Sequence, residues 1–158
     1  MWSSNKTSLM SEEIKTNLKL IGKNLEDLKV ISAYSQDSLV SIKDMVFLKK
    51  NRIFVMIINR FMWEDAEKGV FRENKRIRCA IKFDDVLKVK SKKINQKNKN
   101  RTLECLAIKC NEINNKNYEI NIFFSGDGII TLISESIEIV MHDLGKSWNV
   151  KHIPKHKI

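Results

Sequence analysis

A chain of 158 residues with 42% hydrophobic and 30% charged side chains fits a single soluble globular domain, large enough to bury roughly 70% of the surface its unfolded form exposes. Its longest uninterrupted apolar run, Ile53–Ile58, falls far short of the ~20 residues a membrane-spanning helix needs, and the opening MWSSNKTSLMSEEIKTN lacks the apolar stretch of a secretory signal, so a cytoplasmic location is expected. The net charge of +10 raises nucleic acid as a partner, but lysine heavily outnumbers arginine and travels with abundant Ile and Asn. That is the pattern of A/T-rich coding, and scattered lysine reads as a solvated surface more readily than as phosphate recognition.

In chain order, residues 1–17 are polar and aperiodic and read as a flexible tail ahead of one β-rich domain over 18–150, with KHIPKHKI at 151–158 as a basic tail. From Asn24, a candidate N-cap, the residues Leu25, Leu28, Ile31 and Tyr34 recur at helical spacing, with Glu26 and Asp27 in the first turn. The spacing predicts a helix to about Gln36. Ser38–Ile42 and Met45–Leu48 are short β-like runs on either side of Lys43–Asp44 and suggest a tight hairpin. Ile53–Asn59 is apolar on both faces, as expected of a central strand covered on each side. Arg76–Phe83 alternates, with Ile77, Cys79, Ile81 and Phe83 on one face, and Asp84-Asp85 then separates it from Val86–Ser91, suggesting a second hairpin with Leu87 and Val89 inward.

Residues 91–101, SKKINQKNKNR, offer nothing to bury and read as a loop tip, as does the shorter 111–117. Thr102–Cys110 between them is a strand whose Leu106, Ile108 and Cys110 share a face. Tyr118–Phe124 places Tyr118, Ile120, Ile122 and Phe124 together, and Ser125-Gly-Asp-Gly128 supplies the turn into Ile129–Ile133. Ser134 then reads as the cap of a second helix carrying Ile137, Val140, Met141 and Leu144 as its stripe, His142 on its exposed side and Gly145 as its stop. Trp148 follows and is expected to fold back onto the end of the domain. The predicted fold is a β-rich α+β domain: an antiparallel curled sheet or partly open barrel, with an N-terminal helix and a closing C-terminal helix. That element order is similar to pleckstrin-homology-like rolls.

No glycine-rich nucleotide loop, nucleophile elbow or HExxH helix is present. Cys79, Cys105 and Cys110 are odd in number, lie in apolar segments and form no CxxC pair, so they read as reduced core residues. His152 and His156 flank Pro154 among lysines, which suits a solvated tail better than a metal site. No catalytic residue, metal or cofactor is therefore expected. The polar end of the central strand is the candidate binding region: Asn59, Arg60, Trp63 and Glu64, followed by Arg72, Arg76 and Arg78, which are half of the chain's arginines. Arginine placed locally against a lysine background suggests that its planar fork is needed. The competing packing account has Arg60 paired with Glu64 and Trp63 plugging the core edge.

The chain resembles an uncharacterised bacterial family, domain of unknown function 2948. The resemblance is carried by Leu25-Glu-Asp-Leu-Lys-Val-Ile-Ser-Ala33 with Gln36-Asp37, by Asn59-Arg-Phe-Met-Trp-Glu64, by Arg76–Val89, and by Glu138 to Trp148 with Asp143-Leu-Gly145. Ser35 departs from a pattern that tends to be apolar there. The resemblance implies a small cytoplasmic bacterial protein without an assigned activity. The expected function is a non-catalytic binding or adaptor module that uses the Arg/aromatic region to engage a protein or other anionic partner. The alternatives are a nucleic-acid binder using Lys82, Lys88 and Lys90, or an enzyme using Asp37, Arg60, Glu64 or Glu135 as acid, base or anion clamp.

Overall fold

The structure, a computed structural model, describes residues 17–66, 74–114, 116–150 and 154. The readings of a tail before residue 17, of Arg72 and of His152 and His156 lie outside the described residues. Ten strands and two helices follow in the order β1 (Lys19–Gly22), α1 (Leu25–Ser35), β2 (Leu39–Ser41), β3 (Met45–Leu48), β4 (Ile53–Phe61), α2 (Trp63–Ala66), β5 (Lys75–Phe83), β6 (Val86–Lys92), β7 (Thr102–Ile113), β8 (Asn117–Phe124), β9 (Ile129–Ser134) and β10 (Ile139–Asn149). They form one open antiparallel sheet, β1-β10-β5-β4-β2-β7-β8-β9-β6, with β3 also paired to β4. The sheet does not close into a barrel. No helix among the described residues is long and apolar enough to cross a membrane.

Alternation builds the core. Met56 and Ile58 of β4, Cys79, Ile81 and Phe83 of β5, Ile120 and Ile122 of β8, Leu132 of β9, and Ile139 and Met141 of β10 are all buried. Each such aliphatic or aromatic side chain contributes roughly 1.5–3 kcal/mol by leaving water. Helix α1 adds Leu28 and Ile31 to the same core. Its start is fixed as expected, because Asn24 Oδ1 accepts from Asp27 N at 2.8 Å while Asp27 Oδ2 accepts from Lys23 N at 2.9 Å. Ser35, the departure from the family pattern, is buried without penalty because its hydroxyl donates to Ile31 O at 2.7 Å.

Several sequence expectations change. The closing helix is instead the strand β10, held between β1 and β5 by pairs such as Ile139↔Phe83 and Lys19↔His142. Ile139, Met141 and Asp143 alternate inward, a period of two that the helical stripe obscured, and Val140 and Leu144 point to the other face. Ser134 Oγ lies 3.2, 3.0 and 2.7 Å from the carbonyls of Asp84, Asp85 and Ser136, so it closes a turn rather than capping a helix. Gly145, at φ +69°, sits where the β10 register shifts between Leu144 and Trp148. The strand-then-helix ending that suggested a pleckstrin-homology-like roll is thus not found.

The first expected hairpin is not one, since the 3₁₀ turn Ile42–Asp44 lets β2 and β3 run in sequence along the same edge of β4. Nor do β5 and β6 pair: Asp85 turns at φ +59° and β6 joins β9 at the end of the sheet. In β4 the face of Phe54, Met56, Ile58 and Arg60 is buried, while on the other face Ile53, Val55, Ile57 and Asn59 are half-buried and Phe61 alone, at the end of the strand, is buried. In β7 a register shift between Cys105 and Ala107 sends Leu103, Cys105 and Ile108 inward and leaves Leu106 exposed. The alternation in β5 and β8 stands as read, and the β8–β9 turn uses the positive φ of Gly126 and Asp127.

Strand β6 ends the sheet, and Lys88, Lys90 and Lys92 stand exposed along it. Charged side chains on an end strand discourage edge-to-edge pairing between molecules. Lys88→Val/Lys90→Val is expected to fold but to aggregate at concentrations where the wild type stays in solution, as followed by light scattering. An unchanged scattering profile would remove this role from the lysines.

Candidate functional site

Arg60 follows Phe54, Met56 and Ile58 on the buried face of β4, so the pleat drives its guanidinium into the core, where it is 0% exposed. A lone charge there would be prohibitive, and the fold surrounds it with acceptors. Asp143 grips one side, with Nε to Oδ1 at 2.7 Å and Nη2 to Oδ2 at 2.7 Å. Glu64 grips the end, with Nη1 to Oε1 at 2.9 Å and Nη2 to Oε2 at 2.7 Å. The short helix α2 starts within three residues of Arg60, which returns the Glu64 carboxylate to it. The last Nη1 donor reaches Phe61 O at 3.5 Å, and the Tyr34 ring centroid lies 5.7 Å from Cζ. Asp143 also ties down β1: its Oδ2 accepts from Leu18 N at 2.8 Å, and Leu18 O accepts from Asp143 N at 2.9 Å. Burial alone would lower the pKa of Arg60, but the hydrogen bonds and charges of Asp143 and Glu64 outweigh it and raise the value. The guanidinium stays charged with all five donors engaged.

The neighbouring residues form a second cluster at the end of β4. Trp63 Nε1 donates to Gln36 O at 3.0 Å, and its ring meets Phe61 edge-on at a centroid distance of 4.6 Å. Arg76 lies over the Phe61 ring at 5.9 Å, and its Nη1 donates to Asn59 O at 2.9 Å and Asp37 O at 3.3 Å. Burial lowers the pKa of Arg76, while the charges of Asp37 and Glu104 oppose that shift. Asp37 is buried at φ +60°, a conformation Asp tolerates better than most residues, and its N donates to Cys105 O at 2.7 Å. Asn59 is half-buried, and Arg78 beside it is exposed. Trp148 does not fold back into the core: it is 40% exposed and paired in register with Arg76.

Of the four residues proposed as a catalytic set, Arg60 and Glu64 meet. Asp37 sits with Arg76, and Glu135 lies elsewhere, 3.2 Å from Arg52. The residue missed was Asp143, whose inward parity with Ile139 and Met141 would have paired it with Arg60 had β10 been read as a strand. Among the described residues, no group of three or more His, Cys, Asp or Glu is placed to hold a metal. Burial pushes the thiol of Cys105 up to about 12 and that of Cys110 up to about 11. It also raises Cys79, aided by the charge of Asp143. All three are protonated at neutral pH, which suits core residues and not nucleophiles. A pocket of about 170 Å³ lies at the other end of β4, where Met45, Phe47, Phe54, Val89 and Ile130 line it beside Ser91, Gln96 and Lys99.

One family profile matches residues 18–156. The chain belongs to that family, described as a protein of unknown function (DUF2948). No curated protein and no solved structure matches it. In this DUF2948 chain the segments Asn59–Glu64 and Asp143–Gly145, far apart in sequence, meet at one buried ion network.

Arg60→Ala is expected to destabilise the protein by about 3–5 kcal/mol in chemical denaturation, because Asp143 would be left buried without its cation. Arg60→Met/Asp143→Leu should lose distinctly less than the sum of the two single variants; additive losses would sink the network account. The thiols give a pH test. The folded state holds the Cys105 proton well above its ordinary pKa of 9.0, so the stability linked to it is full below pH 9 and lost as pH rises towards about 12. Denaturation midpoints should fall over that alkaline range, and Cys105→Ala should flatten the fall while lowering stability throughout. An equal slope in both proteins would refute the assignment.

Proposed function

We propose that the protein is a cytoplasmic, non-catalytic binding module that engages a protein or other anionic partner through the arginine-bearing end of β5. What supports this reading is the different environment of its arginines. Arg60 spends every donor inside the fold, and Arg76 is tied to the carbonyls of Asn59 and Asp37. Arg78 is exposed, in a cross-strand row with Leu144 and Asn59 that reaches a carboxylate only at Glu104, beyond Leu39. A guanidinium displayed on a central strand is held by its backbone pairing on both sides, which reduces the ordering a partner must bring about. Trp148, exposed in the next row beside Arg76, adds an aromatic surface of the kind enriched at binding hot spots.

The basic residues that suggested nucleic acid are dispersed. Lys88 and Lys90 lie on the end strand β6, and Lys82 stands on β5 between Val55 and Val140. A phosphate backbone finds no continuous track there.

The test compares affinity enrichment on immobilised wild type and Arg78→Glu, a surface substitution that leaves the core untouched. Loss of the enriched partner by about tenfold is expected, and equal recovery would end the proposal. Fluorescence anisotropy with single-stranded and duplex oligonucleotides at low salt is expected to show no binding. A tight, steeply salt-dependent signal would replace this reading with the nucleic-acid one.

A further inference from the structure

We propose that the outer face of β3, β4, β5, β10 and β1 docks an acidic polypeptide that presents aliphatic side chains flanked by carboxylates. The inference rests on the binding-module reading and names the partner's class and the extent of the surface.

The register defines the face. One row crosses all five strands as Val46, Val55, Lys82, Val140 and Ile21. The next row carries Ile57, Ala80, His142 and Lys19, and the one after it Asn59, Arg78 and Leu144. These side chains point away from the core, which takes the alternate residues Met56, Ile81, Met141 and their neighbours. Among the described residues eight large hydrophobics are exposed, and five of them stand on this face: Ile21 (55%), Val46 (47%), Leu48 (44%), Trp148 (40%) and Leu144 (37%). Half-buried Ile53, Val55, Ile57 and Val140 fill the space between them. Single exposed hydrophobics are ordinary, but contiguous ones mark contact surfaces. With strands about 4.8 Å apart the face is about 20 Å wide at the first row and narrows to about 10 Å at the third, a footprint at the small end of specific interfaces.

Charge selects the occupant. The ionised side chains that these five strands contribute to the three rows are Lys82, Lys19 and Arg78, all cationic, and the third row meets a carboxylate only two strands beyond Asn59, at Glu104, through Leu39. Asp84, just beyond the end of β5, forms a partly exposed ion pair with Lys82 at 3.6 Å, which solvent leaves weak. A second copy would oppose cation to cation on a chain of net charge +10. A nucleic acid would cover the aliphatic rows with phosphate. A polypeptide that alternates aliphatic side chains with carboxylates satisfies both kinds of row.

Photo-crosslinking in the source cells from benzoylphenylalanine at Val46, with Leu106 on β7 as control position, identifies the occupant by mass spectrometry. Calorimetry on the purified pair then measures it. The expected result is an adduct with one acidic polypeptide from Val46 and none from Leu106, with affinity weakened about tenfold or more by Val46→Asp, by Ile21→Asp and by Lys82→Glu. Val46 and Ile21 are exposed on edge strands, and circular dichroism verifies that these variants fold. An adduct with a second copy, with residues 1–16 of the same chain, or with a basic polypeptide overturns the proposal. So do the absence of any adduct and binding to phosphatidylglycerol-containing vesicles in place of a protein. If Arg78→Glu abolishes partner recovery while Val46→Asp and Ile21→Asp leave it intact, the binding-module reading stands and this surface falls. If none of the three matters, both fall.

Discussion

A guanidinium with no exposure to solvent constrains the architecture around it more than any apolar contact does. An aliphatic side chain tolerates many neighbours of similar volume, whereas a buried arginine requires specific acceptors in specific directions. Arg60 takes them from β10 through Asp143 and from α2 through Glu64. Asp143 in turn engages the backbone of Leu18 as β1 begins. Strands β4 and β10, the approach to β1 and the short helix α2 are therefore coupled through one charge. Replacing these groups with apolar residues would be no obvious loss in stability, because buried ion pairs often do no better than a packed core. What the network supplies is specificity of register. Slipping β10 by one residue would turn Asp143 outward and His142 inward, leaving two of the five Arg60 donors without partners.

That constraint also explains which parts of the fold could be read from sequence. The first helix and the β8–β9 hairpin were legible because their signals are local: a capping side chain at Asn24, and left-handed residues at Gly126 and Asp127. The alternation of β5 was legible for the same reason. The last segment was not, because Ile137, Val140, Met141 and Leu144 satisfy a helical spacing as well as Ile139, Met141 and Asp143 satisfy a strand. The decision between them comes from β5 and β1, which are distant in sequence. The two misread hairpins have a similar origin. Short connections usually join paired strands, yet the 3₁₀ turn after β2 and the positive φ at Asp85 send the chain to other neighbours.

The candidate site was legible in its location more than in its roles. The segment Asn59–Glu64 does carry the side chains of the buried network, but Arg60 and Glu64 face inward, and the exposed arginine, Arg78, lies one strand over. Parity is the physical reason: consecutive residues of a strand serve opposite faces. Asn59 therefore shares a surface with Arg78 and Leu144, while Arg60 shares the core with Ile77. A cluster that is dense in sequence was divided by the pleat into a structural half and a displayed half.

The cations divide in the same way, and this bears on how a chain of high net charge should be interpreted. Arg60 is neutralised within the core, and Lys88, Lys90 and Lys92 line the end strand β6, where lysine discourages edge association. Lys19, Arg78 and Lys82 combine exposure with the aliphatic rows of the outer face. A charge bordered by aliphatic groups is partly desolvated as soon as a partner covers it, so its pairing is decided at short range by the groups presented to it, and solvent screens it less than it screens a charge on the β6 edge. A cation on an open edge contributes to solubility and steers encounters; one embedded in an apolar row penalises any partner that leaves it unpaired. The selectivity of this protein for a partner would therefore reside in three side chains of β1 and β5, with most of its +10 net charge serving solubility.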